Sequence, residues 1–138
     1  MKKVLVIWMD YAEALIGQQD DGDVRITVLP SEIETMVREE GQTPDYTKFT
    51  PFHVSNNENR NHHREQEQVK KYFKRLEDAI KGAGKIYIMG PGEAKKEFSH
   101  FIKEHTKNSP EILAVENCER LTEGQLRAKM RRILSSNN

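Results

Sequence analysis

The 138-residue sequence has little cysteine, no excess charge and no long apolar run. Its single cysteine, Cys118, excludes an intramolecular disulfide and a zinc site built from several cysteines, which fits a reducing compartment. Lys plus Arg and Asp plus Glu each number 22, so no overall charge attracts the chain to nucleic acid, anionic lipid or an acidic substrate. The apolar run Val4–Met9 ends at Asp10 and is too short for a signal peptide or a membrane span. We therefore expect a cytoplasmic protein without a membrane partner.

The hydrophobic pattern predicts three strands, followed by helices that alternate with two further strands. The length is typical of one domain, so we expect a single domain over residues 1–138. An antiparallel meander extended by two parallel strands is the skeleton of the ribonuclease-H-like fold. We therefore expect an α/β protein with a mixed five-stranded sheet and flanking helices. The predicted strands are 4–9, 12–18, 24–29, 85–89 and 112–115, and the predicted helices are 64–81, 93–106 and 123–134.

One long segment breaks this pattern. Residues from about 39 to 61 are polar, contain prolines and lack periodicity, which predicts a mobile loop. Thr122 and Gln125 have the spacing of a capping box at the start of the last helix. The predicted core consists of Val6, Trp8, Leu15, Ile26, Leu76, Ile88, Phe98, Phe101 and Leu126.

Two segments of the sequence resemble one known domain. Residues 4–17, V-L-V-I-W-M-D-Y-A-E-A-L-I-G, resemble the start of the central domain of the eukaryotic and archaeal class-1 release factors and Pelota. Residues 86–98, I-Y-I-M-G-P-G-E-A-K-K-E-F, resemble its strand-Gly-x-x-x-x-Lys-x-x-Phe/Leu segment, and residues 67–73 stand where that domain has its long basic helix. Small stand-alone bacterial relatives of the domain combine a Trp-x-Asp strand end with a Gly-Pro-Gly-x-Ala-Lys segment. This sequence is similar to them, with Trp8-x-Asp10 and residues 90–95. The resemblance therefore implies that this protein is a stand-alone, bacterial-type relative of the release-factor and Pelota central domain.

The sequence lacks the Gly-Gly-Gln tripeptide with which release factors place water at the peptidyl-tRNA ester. The nearest remnant is Gly41-Gln42 in the predicted loop, while a second Glu-Gly-Gln, at residues 123–125, belongs to a helix start. Pelota-type domains also lack the tripeptide and act by binding, so the resemblance implies a binding role. A degenerate peptidyl-tRNA esterase that uses Gln42 is the alternative.

Asp10 is a candidate catalytic residue because it ends the first strand, where ribonuclease-H-like nucleases place their first metal-binding carboxylate. Two-metal hydrolysis needs several carboxylates close together. Glu13, Glu93 and Glu116 are the other candidates, and no sequence pattern joins them. The alternative is that Asp10 forms a turn and accepts hydrogen bonds from nearby backbone amides.

Two further features are candidate sites for small ligands. His62 and His63, with His53 upstream, are candidate metal ligands, and a solvated loop ahead of a helix is the alternative. Gly90 and Gly92 lie between a strand and a helix, where helix N-terminal amides can bind an anion. Tight strand-to-helix packing is the alternative there. We expect no cofactor.

Basic residues cluster on two predicted helices of this net-neutral chain. A charged outer face also occurs on any amphipathic helix that only meets solvent. Because such clusters also contact nucleic-acid phosphates, both are candidate RNA-binding sites. They comprise Lys70, Lys71, Lys74 and Arg75 on one helix, and Arg127, Lys129, Arg131 and Arg132 on the last helix.

The sequence therefore favours a non-catalytic, translation-associated binding module whose partner is the ribosome, rRNA or tRNA. A hydrolase is one alternative, either a magnesium-dependent nuclease at Asp10 or an esterase at Gln42. A homo-oligomeric protein adaptor without a nucleic-acid partner is another. No sequence pattern predicts the oligomeric state.

Overall fold

The computed structural model describes residues 3–33, 55–105 and 109–137, and for residues 55–65 and 105 it describes the backbone alone. The predicted strands and helices are all present, in the predicted order. No helix in the described part of the chain is long and apolar enough to cross a membrane. The strands are β1 (Lys3–Met9), β2 (Glu13–Asp20), β3 (Asp23–Pro30), β4 (Ala83–Gly90) and β5 (Glu111–Asn117), and the helices are α1 (Ser55–Ala79), α2 (Ala94–His105) and α3 (Glu123–Ser136).

The strands form one mixed sheet in the order β3-β2-β1-β4-β5. The pairs β1–β2 and β2–β3 are antiparallel, whereas β1–β4 and β4–β5 are parallel. This is the α/β, ribonuclease-H-like arrangement that the order of elements predicts. A single domain over residues 1–138 stays a prediction.

Helix α1 begins at Ser55, well before the predicted start near residue 64. The predicted loop at about 39–61 is therefore wrong over residues 55–61, which are helical, and residues 39–54 lie outside the described part of the chain. Residues 55–61, S-N-N-E-N-R-N, carry no apolar stripe from which a helix could be recognised. A helix that is already nucleated can extend through such residues, because each added residue forms one more backbone hydrogen bond.

β1 is the central strand, and both of its faces are buried. The odd-numbered residues from Leu5 to Met9 lie in the core beneath α1 and α2, which we call the α1–α2 face of the sheet. The even-numbered residues from Val4 to Trp8 lie in a second core beneath α3, which we call the α3 face. A strand covered on both sides needs apolar residues at consecutive positions, and this explains the uninterrupted run.

The core on the α1–α2 face is rich in aromatic rings. Tyr72, Phe73 and Leu76 of α1 and Phe98 of α2 are buried. The ring centroid of Phe73 lies 5.4 Å from that of Phe98 and 5.7 Å from that of Phe101, in tilted arrangements that aromatic pairs favour. These contacts hold α1 against α2.

Helix α3 covers the opposite face with Leu126, Met130 and Leu134, which recur at four-residue steps and are buried. The predicted capping box is present at its start. Thr122 Oγ1 accepts a hydrogen bond from the Gln125 amide at 3.2 Å, and Gln125 Oε1 accepts one from the Thr122 amide at 3.1 Å. Two backbone donors that the helix leaves unpaired are thereby satisfied.

Three predicted core residues are only half-buried. Leu15 and Ile26 pack at the edge of the core on the α3 face, and Phe101 packs at the edge of the other core. Periodicity shows which side an apolar residue takes, but how fully it is covered depends on where the neighbouring helix lies. The other predicted core residues are buried, namely Val6, Trp8, Leu76, Ile88, Phe98 and Leu126.

A buried phenol ties α1 to the end of β1, and we expect its loss to be costly. Tyr72 Oη donates a hydrogen bond to the carbonyl oxygen of Asp10 at 2.8 Å. Burial, and then the carboxylates of Asp10 and Glu13, raises the pKa of Tyr72 well above the usual value, so the phenol stays a donor. Tyr72→Phe leaves that carbonyl without this donor and should lower the free energy of unfolding by about 1–3 kcal/mol, measured by urea denaturation.

Tyr87→Phe is the matched control. Tyr87 Oη donates to the carboxylate of Glu116, and that bond, followed by burial, raises the pKa of Tyr87 to about 12. Glu116 keeps Lys129 as a second partner at 3.7 Å and is partly exposed, so water can replace the lost donor. A Tyr87→Phe protein destabilised as much as Tyr72→Phe would contradict the importance of the contact between α1 and β1.

Candidate nucleic-acid interface

Three lysines occupy the outer face of α1. Lys70, Lys71 and Lys74 are exposed, because the helical period that buries Leu76 turns them away from the sheet. Lys74 Nζ lies 3.6 Å from the carboxylate of Glu77. Lys70 and Lys71 form no ion pair or hydrogen bond with any residue that the structure describes. We call these three residues the α1 lysine face.

Arg75, which the sequence groups with these lysines, has a different environment. Its Nη2 donates a hydrogen bond to the carbonyl oxygen of Ser31 at 2.8 Å and lies 3.9 Å from the carboxylate of Glu32. Ser31 is buried, just after β3. Arg75 therefore attaches α1 to the chain that leaves β3, and its guanidinium is less available to a ligand than the lysine ammonium groups.

An open groove of ≈ 780 Å³ runs along this part of α1. The described residues that line it are Lys70, Lys71, Lys74, Arg75, Glu77 and Phe101. Positive groups thus predominate around it, with one carboxylate already close to Lys74. Sequence reasoning assigned Phe101 to the core and missed its position beside the lysines, because no local pattern shows where two helices separate.

Two of the basic residues on α3 bind the start of β3. Arg131 Nη2 lies 2.8 Å from Asp23 Oδ1, and Arg127 donates to the carbonyl oxygen of Val24 and lies 3.9 Å from Asp23. The hydrogen bond from Arg131, then the one from the Val24 amide, lowers the pKa of Asp23 below its usual value. Both arginines therefore hold α3 to the meander.

A third basic residue on α3, Lys129, lies 3.7 Å from Glu116 on β5, while Arg132 is exposed. Most of the α3 cluster is thus paired within the molecule. The α3 cluster and the α1 lysine face also lie on opposite faces of the sheet. One flat ligand surface therefore cannot contact both clusters at once. The sequence alone leaves open that the two clusters form one continuous binding surface.

Asp10 occupies a tight turn at the end of β1. Its Oδ1 accepts hydrogen bonds from the amides of Ala12 at 2.8 Å and Glu13 at 3.0 Å. The Asp10 amide donates to the carbonyl oxygen of Glu13 at 3.0 Å, which closes the turn. This is the geometry that the turn-forming interpretation of Asp10 predicts.

Two of the other candidate carboxylates, those of Glu13 and Glu116, are engaged in separate places. Glu13 pairs with Arg120, and Glu116 pairs with Tyr87 and Lys129. The carbonyl oxygen of Glu93 accepts amides in the first turn of α2. Within residues 3–33, 55–105 and 109–137, no group of three or more His, Cys, Asp or Glu side chains is placed to hold a metal ion.

A buried cation in the first turn of α2, Lys95, binds the turn Gly90-Pro91-Gly92, and no sequence pattern marked it as a candidate site residue. Lys95 is 4% exposed, and its Nζ donates to the carbonyl oxygen of Gly92 at 2.5 Å and to Asn117 Oδ1 at 3.1 Å. The ammonium group therefore joins the ends of β4 and β5 to the start of α2. The sequence contains one sign of this site, because Lys95 is the lysine of the segment that resembles the release-factor domain. Its burial, however, can be seen only in the fold. The anion-binding role of Gly90 and Gly92 stays a prediction.

The candidate metal ligands and the candidate esterase residue stay predictions. His62 and His63 lie inside α1 rather than in a loop ahead of it, which corrects the expected setting. Gln42 and His53 lie outside the described residues.

The fold and this surface define the class as an α/β protein of ribonuclease-H-like topology with an exposed lysine face on its long helix. Among solved structures it is similar to Pelota of Archaeoglobus fulgidus, with a TM-score of 0.54 and 14% identity over 98% of this chain and 33% of that chain. It is also similar to an archaeal translation termination factor, aRF1, with a TM-score of 0.50 and 16% identity over 97% of this chain and 38% of that chain.

At such low identities the likeness shows the fold alone. It confirms the resemblance to the release-factor and Pelota fold, whereas the stand-alone bacterial type stays a prediction. The chain spans about a third of the Pelota structure. No protein-family model and no curated protein matches the sequence.

Gly90 provides a test of how closely the strand ends approach. A Cβ at this position would overlap the carbonyl oxygen of Met9, which belongs to the backbone of β1 and cannot turn aside. We expect Gly90→Ala to lower the free energy of unfolding by at least about 3 kcal/mol, measured by chemical denaturation.

Gly92→Ala, two residues further on, is the matched control. Its φ of 67° disfavours a side chain, but a Cβ there meets nothing within 4 Å. The expected cost is about 1–2 kcal/mol, from the left-handed backbone alone. Equal costs at the two positions would contradict the close approach of β1 and β4.

Proposed function

We propose that this protein is a non-catalytic binding module that contacts RNA of the translation machinery, rRNA or tRNA, through the α1 lysine face. The observation that supports this most directly is the exposure of Lys70, Lys71 and Lys74 on adjacent turns of one helix. Lys70 and Lys71 have no partner among the described residues, and Lys74 pairs with Glu77, whose side chain is 14% exposed. Ammonium groups in this state are ready to neutralise phosphates.

The pairing of the charges distinguishes the two basic clusters. Arg127, Lys129 and Arg131 would have to give up partners within the molecule before they could contact a phosphate. Lys70 and Lys71 release only water and counterions, and the gain in counterion entropy favours binding. We therefore assign RNA contact to α1 and a structural role to these three residues of α3.

The proposed role in translation rests on the proteins that share this fold and on the sequence resemblance. The solved structures that it is similar to include a translation termination factor. The sequence also resembles the release-factor and Pelota central domain but has no Gly-Gly-Gln. A domain that keeps the fold and lacks the tripeptide fits binding at the ribosome better than hydrolysis of peptidyl-tRNA.

The first test replaces the α1 lysine face. Lys70→Gln, Lys71→Gln and Lys74→Gln together keep helix propensity and leave Phe73 and Leu76 in place, so stability should barely change. RNA or ribosome affinity should fall. The slope of log affinity against log salt should become shallower by about two units, since each contact on a single strand contributes roughly 0.7. Co-sedimentation with ribosomes and fluorescence anisotropy, each across a salt series, measure this.

A charge-matched control replaces three other exposed lysines, Lys85, Lys96 and Lys103, with glutamine. It changes the net charge equally but leaves the α1 lysine face intact, so the salt slope should stay close to that of the unaltered protein. If the α1 variant keeps the original slope, or both variants lose the same amount, the proposed contact is wrong. The protein-adaptor alternative would then lead, with the exposed Val28 and Val115 as its first candidates.

The hydrolase alternatives are tested by direct assay. We expect the purified protein to leave peptidyl-tRNA intact, because Gly-Gly-Gln is missing. We also expect it to leave RNA uncleaved in the presence of magnesium, because Asp10 is held in a turn and Glu13 and Glu116 have other partners. Release of labelled peptide and gel analysis of RNA measure the two reactions. Turnover that is abolished by Asp10→Asn or Gln42→Ala in a folded protein would refute the binding-module proposal.

A further inference from the structure

One carboxylate lies in the positive groove. Glu77 is the acidic residue among the described residues that line the groove, and its Oε1 lies 3.6 Å from Lys74 Nζ. The two residues are three positions apart on α1, a spacing that makes their side chains neighbours on the helix surface. A phosphate that contacts Lys74 therefore meets an ammonium group whose charge Glu77 already offsets in part.

The two partners differ in burial. The side chain of Glu77 is 14% exposed, whereas that of Lys74 is 67% exposed. The ammonium group can turn towards a ligand on its long stem, but the mostly covered Glu77 has little room to withdraw into solvent. Because a partly buried charge is also screened less by salt than an exposed one, Glu77 keeps its negative charge effective at the groove when a polyanion approaches.

We propose that Glu77 is a built-in competitor of the ligand, which lowers the affinity of the groove for RNA phosphates by holding Lys74. This inference rests on the proposed function and names a residue that regulates the same site. A phosphate must share Lys74 with Glu77 and is repelled by the carboxylate. It also keeps part of its condensed counterion, because full release requires full neutralisation. The groove thus binds RNA more weakly than its basic residues alone would.

Glu77→Gln tests this inference, because it removes the charge and keeps the size of the side chain and the helix propensity. The probe is a labelled oligouridylate of roughly twelve nucleotides. We expect the variant to bind it about two- to fivefold more tightly than the unaltered protein, the range for an ion pair near the surface. The slope of log affinity against log salt should become steeper, by at most roughly 0.7. Fluorescence anisotropy across a salt series measures both.

Asp78→Asn is the matched control. Asp78 forms a pair of the same spacing with Lys81, at 3.9 Å on the same helix, and neither is among the described residues that line the groove. The substitution changes the net charge equally, so affinity and salt slope should stay close to those of the unaltered protein. Glu77→Met, a second neutral replacement of similar size, should give the same gain as Glu77→Gln.

A double-mutant cycle shows whether the effect acts through Lys74. Glu77→Gln added to Lys74→Gln should raise affinity less than Glu77→Gln does alone, because the charge that Glu77 offsets is already absent. An equal gain in the two backgrounds would overturn the inference. Near-ultraviolet circular dichroism establishes that each variant is folded.

The outcomes distinguish this inference from the proposed function. If neither the unaltered protein nor Glu77→Gln binds the oligouridylate, the proposed function fails and the inference fails with it. If the unaltered protein binds it and the triple lysine variant does not, while Glu77→Gln changes neither affinity nor slope, RNA binding stands and the inference is overturned. Equal gains in Glu77→Gln and Asp78→Asn would assign the effect to net charge and also overturn it.

Discussion

The burial of β1 on both faces is the constraint on which the rest of the structure depends. A central strand without a polar face must be covered from both sides, so α1 and α2 pack on one face of the sheet and α3 on the other. The end of the strand is then held by neighbours from several elements. Tyr72 donates to the Asp10 carbonyl, Trp8 Nε1 donates to the carbonyl oxygen of Cys118 at 3.0 Å, and Gly90 lets β4 approach without a side chain.

The same constraint divides the surface charge into two clusters with different roles. Because α1 and α3 cover opposite faces, their basic residues cannot form one patch. Those on α3 reach carboxylates on the meander and on β5, where each exposed pair contributes little energy but orients the helix. The lysines of α1 lie over the aromatic core, with no comparable acceptors for Lys70 and Lys71 among the described residues. Pairing within the fold thus separates cations that position a helix from cations that a ligand can use.

The polar groups at the carboxyl ends of the strands mainly brace the fold. Asp10 accepts two amides of its own turn, and Lys95, although almost fully buried, has a carbonyl and an amide oxygen as partners. A buried ammonium without such partners would be strongly destabilising. Arg120 adds a further link, since its guanidinium lies 4.8 Å from the ring centroid of Trp8 and also pairs with Glu13. Asp10, Glu13 and Glu116, which suggested hydrolysis in the sequence, are therefore occupied in holding strand ends together.

The sequence by itself determined the order of elements, the α/β class and the capping box at Thr122, because these follow from periodicity and local hydrogen bonding. It also identified the lysines of α1, since an amphipathic helix shows its outer face directly. The early start of α1 had no apolar stripe to reveal it. Only the tertiary structure decided that Arg75 and three residues of α3 are paired, that Lys95 is buried and that Phe101 lies beside the lysines. These features depend on contacts between residues far apart in the chain, and such contacts leave no periodic trace in the sequence.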